Sequence, residues 1–325
     1  MAMPDHSNPS MSRARRAPVV TGVSLQPNGE LMSIVGDDHR VAIFDLKEDK
    51  FIDHLTRHQD WVRAAKFNYD GTRLASAGND RRLLVWDATD WRTPLLEKRH
   101  PEAIIDIAFT EDGSKLATVG FSKTLRIYDT VTGNQFRSLR CACDDNHAVA
   151  FSKDGTLIAA GGRCGTVRVW STNSGQVVSE FKAHRKRIRS LEFTSEGKII
   201  SGGDDQTVRI TDARQSRPGW TLPRHDSKLY DIKMLPGGLL STAGSDNKIH
   251  VWQLSGAELV GSLKGHTGTV TCLDLQQEKL ASGSYDTQVR VWTMEQNTSF
   301  PQQRTTNSLN RNPGGSSAGW NRKLK

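Results

Sequence analysis

The chain has 325 residues, 36% hydrophobic and 25% charged, with four cysteines and a formal net charge of +8. A mean hydropathy of −0.55 and the lack of any run of about eighteen apolar residues exclude a helical membrane protein. An amino terminus reading MAMPDHSNPSMSRARRAP has no apolar centre of a secretory signal, so the expectation is a soluble, cytoplasmic protein.

The basic charge sits at the two ends. Arg13, Arg15 and Arg16 face only Asp5 at the start, and Arg304, Arg311, Arg322, Lys323 and Lys325 face no acid after residue 302. What lies between is close to neutral. Segments 1–16 and 303–325 are rich in Ser, Asn, Gly and Pro, and are expected to be disordered basic tails. They read either as solvated ends or as weak electrostatic tethers to an acidic partner, a nucleic acid or a membrane surface.

Between the tails, residues 17–302 divide into seven similar units. The first, 17–57, has a turn signal at Asn28-Gly29 and ends its third strand-like phrase at Phe44. The second, 58–99, opens on His58, turns at Asp70-Gly71 and reaches Trp86. The third, 100–141, runs from His100 through Asp112-Gly113 to Tyr128, and the fourth, 142–183, from Ala142 through Asp154-Gly155 to Trp170. The fifth, 184–224, carries Thr211 at the aromatic position. The sixth, 225–265, turns at Gly237-Gly238 and reaches Trp252, and the seventh, 266–302, reaches Trp292. These anchors are 42, 42, 42, 41, 41 and 40 residues apart. Alternation such as Val167-Arg168-Val169 is the period of a strand with unlike faces, and Asp-Gly turns between such phrases favour hairpins. A period near forty with several short strands per copy predicts an all-β, seven-bladed propeller, with four antiparallel strands per blade. Phe300 lies eight residues after Trp292, as Phe136 lies after Tyr128, so the last outer strand is expected near Ser299 to Arg304. The segment PSMSRARR, short of β-formers, is not expected to supply it.

Further residues repeat in step. Asp80, Asp205, Asp246 and Asp286 stand six places before their anchors, and Ser76, Ser201, Thr242 and Ser282 four places before those. With the opening histidines, they make the chain resemble the WD40-repeat family. That resemblance implies buried hydrogen-bonded tetrads: His58, Ser76, Asp80, Trp86 in blade two; His225, Thr242, Asp246, Trp252 in blade six; and His266, Ser282, Asp286, Trp292 in blade seven. A His, Ser and Asp repeated blade after blade reads as structure and not as a catalytic triad, which needs one oriented nucleophile.

Blade four departs from the pattern. Cys164 takes the Asp position, Ala160 the Ser position, and Ala142, flanked by Cys141 and Cys143, the His slot. The resemblance places Cys141, Cys143 and Cys164 in one neighbourhood near Asp144, Asp145 and His147. Packed thiols come first, a disulfide second and a metal site last, since Cys-x-Cys is not zinc-knuckle spacing.

The resemblance also implies that positions three and five beyond the opening His, and the one before the Asp, lie on one face of the ring. These supply Trp61, Arg63, Phe121, Arg163, Arg187, Arg189, Lys228, Tyr230 and Tyr285 as candidate partner-binding residues. Arg and aromatic side chains are enriched in binding hot spots, and the run Arg185, Lys186, Arg187, Arg189 suits a carboxylate or phosphate. The expected function is a non-catalytic scaffold that binds partner proteins or acidic or phosphorylated peptides. It would act as a monomeric propeller within a complex, with no cofactor and no metal. The alternatives are a nucleic-acid-associated propeller working through its basic tails and an enzyme with a site at the channel mouth. The sequence has no GxxxxGK[ST] or HExxH motif.

Overall fold

The computed structural model describes residues 17–216 and 218–294, and the backbone of two further strands, Ser308–Arg311 and Trp320–Lys323. Seven antiparallel sheets follow one another along the chain, and within each the strand order is the chain order. Blade one is Val20–Leu25, Leu31–Gly36, Val41–Asp45 and Lys50–Leu55. The first strand of every blade lines a central channel, and the fourth is on the rim. Burial grades the same way. Leu157–Gly162, a second strand, is buried throughout, while Gln135–Arg140, a fourth strand, is largely exposed.

Each anchor aromatic packs backwards into the preceding blade. Trp86 meets Val35, Val41 and Leu55 of blade one, and Trp170 meets Ile127 and Leu139 of blade three. The same rule closes the ring, for Phe44 of blade one packs with Cys272, Ala281 and Val289 of blade seven. Thr271 Oγ1 donates to the Val20 carbonyl at 2.8 Å and Lys279 Nζ to that of Gly29 at 2.9 Å.

A register shift near the start of the first strand recurs from blade to blade and brings a carbonyl against the last residue of the second strand. At Gly120 a Cβ would lie 1.9 Å from the Ala103 carbonyl oxygen, so only glycine fits there. Blade seven solves the same problem in reverse. It has Ser284, whose Oγ donates to Gly268 O at 2.9 Å, and the residue without a Cβ has moved to the facing loop.

The last blade corrects the spacing argument. The strand paired with Gln288–Thr293 is Ser308–Arg311, with Gln288 opposite Asn310 and Val289 opposite Leu309, and Trp320–Lys323 pairs beyond it to make five strands. Ser299 to Arg304 lie outside the described residues. Both new strands come from the stretch that composition assigned to a disordered tail. A free sheet edge accepts any segment that can present its backbone, so composition is a poor guide to what pairs there.

Candidate functional site

The loops around one end of the channel are held from beneath by buried polar sets. His58 Nδ1 lies 2.9 Å from Asp80 Oδ2 and Nε2 2.9 Å from Ser76 Oγ, and Trp86 Nε1 donates to the same hydroxyl at 3.0 Å. His266, Ser282, Asp286 and Trp292 repeat this geometry. Blade five keeps His184 against Asp205 and Ser201, both at 2.8 Å, without the tryptophan. In blade three the Tyr128 hydroxyl reaches His100 Nε2 directly at 3.0 Å. The Asp carboxylates also accept the backbone N–H after the His: Gln59, Arg185 and Thr267. This pins the loop and fixes where the third and fifth residues beyond the His point. Burial works against the Asp80 charge, but His58 and the Gln59 amide outweigh it and hold the carboxyl below its ordinary value.

Blade six is a correction. His225 Nε2 meets Thr242 Oγ1 at 3.0 Å and Trp252 Nε1 donates there at 3.1 Å, but Asp246 Oδ2 turns to His250 Nε2 at 2.7 Å. His225 Nδ1 is buried without a hydrogen-bond partner among the described residues. The reason is local: His250 occupies the third strand two residues before Trp252 and competes for the same carboxylate.

At the channel mouth the structure gathers Arg63, Phe121, Arg187, Arg189, Tyr230 and Tyr285 around a cavity of about 830 Å³. Trp61 stands behind Arg63, whose guanidinium lies 4.8 Å from its ring. Arg189 lies 4.9 Å over Tyr230, which meets Tyr285 edge-on at 6.2 Å. Phe121 meets His147 at 6.1 Å. Arg163 and Lys228 are exposed on the surrounding loops and do not line the cavity.

Asp204, the position before the tetrad Asp, is expected on this face and Asp145 beside the cysteines, but neither was legible as a counter-ion from the motifs. Asp204 binds Arg189 Nε at 2.8 Å, and Asp145 lies 3.6 Å from Arg187 Nη2 and 2.7 Å from His147 Nε2. Burial pushes His147 down to about 4, so it adds no positive charge near neutral pH.

Deeper in the channel, the first strands present open edges whose N–H groups need acceptors. Side chains from the preceding blade supply them. Asp106 accepts Val149 N at 3.0 Å, Glu192 accepts Met234 N at 2.7 Å, Asp231 accepts Leu273 N at 2.8 Å and Asp274 accepts Leu25 N at 2.8 Å. Ser24 Oγ does the same for Phe67 N at 3.1 Å. The four carboxylates lie six or eight residues beyond the opening His of their blades, a phase that would have revealed them. Glu192 raises Lys233 well above the usual lysine range, against the opposing effect of burial.

Two of the three clustered cysteines are bonded. Cys143 and Cys164 form a disulfide with Cα atoms 5.4 Å apart, inside the range that bond requires. This overturns the preference for packed thiols at that pair. The bond stands where other blades have His against Asp. Cys141 turns away into the hydrophobic cluster around Ile158 and Trp170, where burial pushes its thiol up to about 12. No group of three or more His, Cys, Asp or Glu side chains able to hold a metal comes together among the described residues, and no helix among them is long and apolar enough to cross a membrane.

Residues 49–87, 93–129, 138–171, 175–212, 216–253 and 257–293 match the family described as WD domain, G-beta repeat. The chain is 40% identical over 78 residues to Mitochondrial division protein 1 of Schizosaccharomyces pombe, covering 24% of this chain and 12% of that protein. It is 38% identical over 97 residues to the U3 small nucleolar RNA-associated protein 15 homolog of Gallus gallus, covering 29% of this chain and 18% of that one. The chain therefore spans less than a fifth of the length of either relative.

Proposed function

This chain belongs to the WD40 repeat family, and from that premise we propose that it is a non-catalytic scaffold that docks partner proteins across the channel mouth. An acidic or phosphorylated segment is the preferred contact. Propellers of this family act as protein-interaction scaffolds and are generally not enzymes. The observation that carries the reading here is the convergence of Arg63, Arg187 and Arg189 with Phe121, Tyr230 and Tyr285 on one opening. Forked guanidinium groups held over aromatic rings combine contact area with directional donors. Work in the cytoplasm is part of the same proposal. The relatives' names point in different directions, one to mitochondrial division and one to small nucleolar RNA.

The test is a pull-down comparing wild type with Trp61→Ala and with an Arg187→Ala, Arg189→Ala double variant. Recovered partners should lose about 2 kcal/mol of affinity or more if these side chains are hot spots, while the melting temperature barely moves. Unchanged recovery in both would move the site to the rim or the opposite face. A partner that is nucleic acid bound through the basic ends would instead weaken steeply across a salt series.

A further inference from the structure

Arg63 and Arg189 occupy the same place in their blades, five residues beyond His58 and His184. Both lay the guanidinium over an aromatic ring, and both turn Nε to the residue just before the tetrad Asp. In blade five that residue is Asp204, with Oδ1 2.8 Å from Nε and Oδ2 3.3 Å from Nη2, so the cation is neutralised. In blade two it is Asn79. The Nε to Oδ1 distance is again 2.8 Å, but the amide carries no charge, and Asp60, whose charge acts on the guanidinium, makes no ion pair with it among the described residues. Arg187 has Asp145 at 3.6 Å. Of the three arginines lining the mouth, Arg63 alone has no carboxylate within ion-pair distance among the described residues. Its two Nη groups have no hydrogen-bond partner among those residues, and the side chain lines the open cavity. A half-buried cation without a counter-ion is costly unless something completes it.

We propose that Arg63 and Asn79 form a seat for a single carboxylate of a docked segment, from an Asp, a Glu or a chain terminus. The carboxylate supplies to Arg63 what Asp204 supplies to Arg189. It accepts two N–H groups of the fork, and the Asn79 amide offers a further donor that an Asp at 79 would lack. One unneutralised cation matches one negative charge, which favours a carboxylate over a phosphate dianion. The inference rests on the reading of the mouth as the docking site.

The repeat supplies its own controls. Asn79→Asp copies blade five into blade two and fills the seat from within, and Asp204→Asn empties the seat of blade five. An array of capped octapeptides with Glu, Gln or phosphoserine at the centre of uncharged flanks is probed with wild type and both variants, each checked by its melting curve. Wild type should retain Glu peptides about tenfold over their Gln counterparts, the size of one charge-assisted contact. Asn79→Asp should lose that preference, and Asp204→Asn should strengthen it. Retention of Glu and Gln peptides alike, or a preference for phosphoserine, overturns the carboxylate seat and leaves the mouth as a docking site. Retention of no peptide of any kind overturns the docking reading, and the seat with it.

Discussion

His100 and His225 each sit where a proton is expensive. Burial first of all pushes both down to about 4, and His250 adds to the effect at His225. An unfolded histidine titrates near 6.5, so the native state prefers the neutral ring. That stability is fully present above about pH 6.5 and is lost as pH falls toward 4. At pH 5 the loss is about 2 kcal/mol for each ring, and the melting temperature should drop from pH 7 to pH 5. A His100→Gln variant should show a shallower drop; an equal slope would mean that other groups set the acid limit. Asp106 acts oppositely. Burial raises it to about 6, so between roughly pH 4 and 6 its contribution weakens as pH rises, which softens the histidine effect at the acid end without reversing it.

At the scale of elements, blade four differs from its neighbours in how its loop is fastened. In blades two, five and seven His and Asp hold the loop by hydrogen bonds; here Cys143 and Cys164 hold it covalently over a separation of 21 residues. A loop of that size restrains the unfolded chain by about 3 kcal/mol in the chain-entropy account. Thiol titration of denatured, unreduced protein should find two free thiols, Cys141 and Cys272, and four after reduction. Reductant should lower the melting temperature of wild type but not of a Cys143→Ala, Cys164→Ala variant. Four thiols without reductant would show that the bond does not form. The loop also carries Asp145, the counter-ion of Arg187, so fastening and site geometry are linked.

For the whole molecule, the ring is only as stable as its closure. Blades one and seven meet through Phe44 against Cys272 and Val289, and through Asp274 accepting Leu25 N. Replacing Asp274 by Ala strips an acceptor from a buried strand edge and should cost about 1 to 3 kcal/mol. Ending the chain at Gln296 removes the strand paired with Gln288–Thr293 and should also destabilise the fold, whereas deleting residues 1–15 should leave the melting temperature nearly unchanged. A large loss from the amino-terminal deletion alone would show that the amino terminus takes part in closure.

The sequence by itself determined the number of blades, their phase and most of the polar sets beneath the loops, because each copy repeats the same burial problem and so the same residues. Of the nine loop residues that the family resemblance indicated, six line the channel cavity. The matched stretches end at 87, 129, 171, 212, 253 and 293, one residue past each anchor, while the sheets begin and end elsewhere. The repeat read in sequence is therefore offset from the blade, and blade one, with Phe44 and no opening His, lies largely outside the matches. Tertiary structure alone decided which carboxylate each cation finds. Asp246 goes to His250 on the adjoining third strand and not to His225, Asp145 reaches Arg187 across a blade boundary, and Arg63 is left with an amide. It also decided that Ser308–Arg311 completes the last sheet, since an open edge selects by backbone geometry and position, and neither is written in composition.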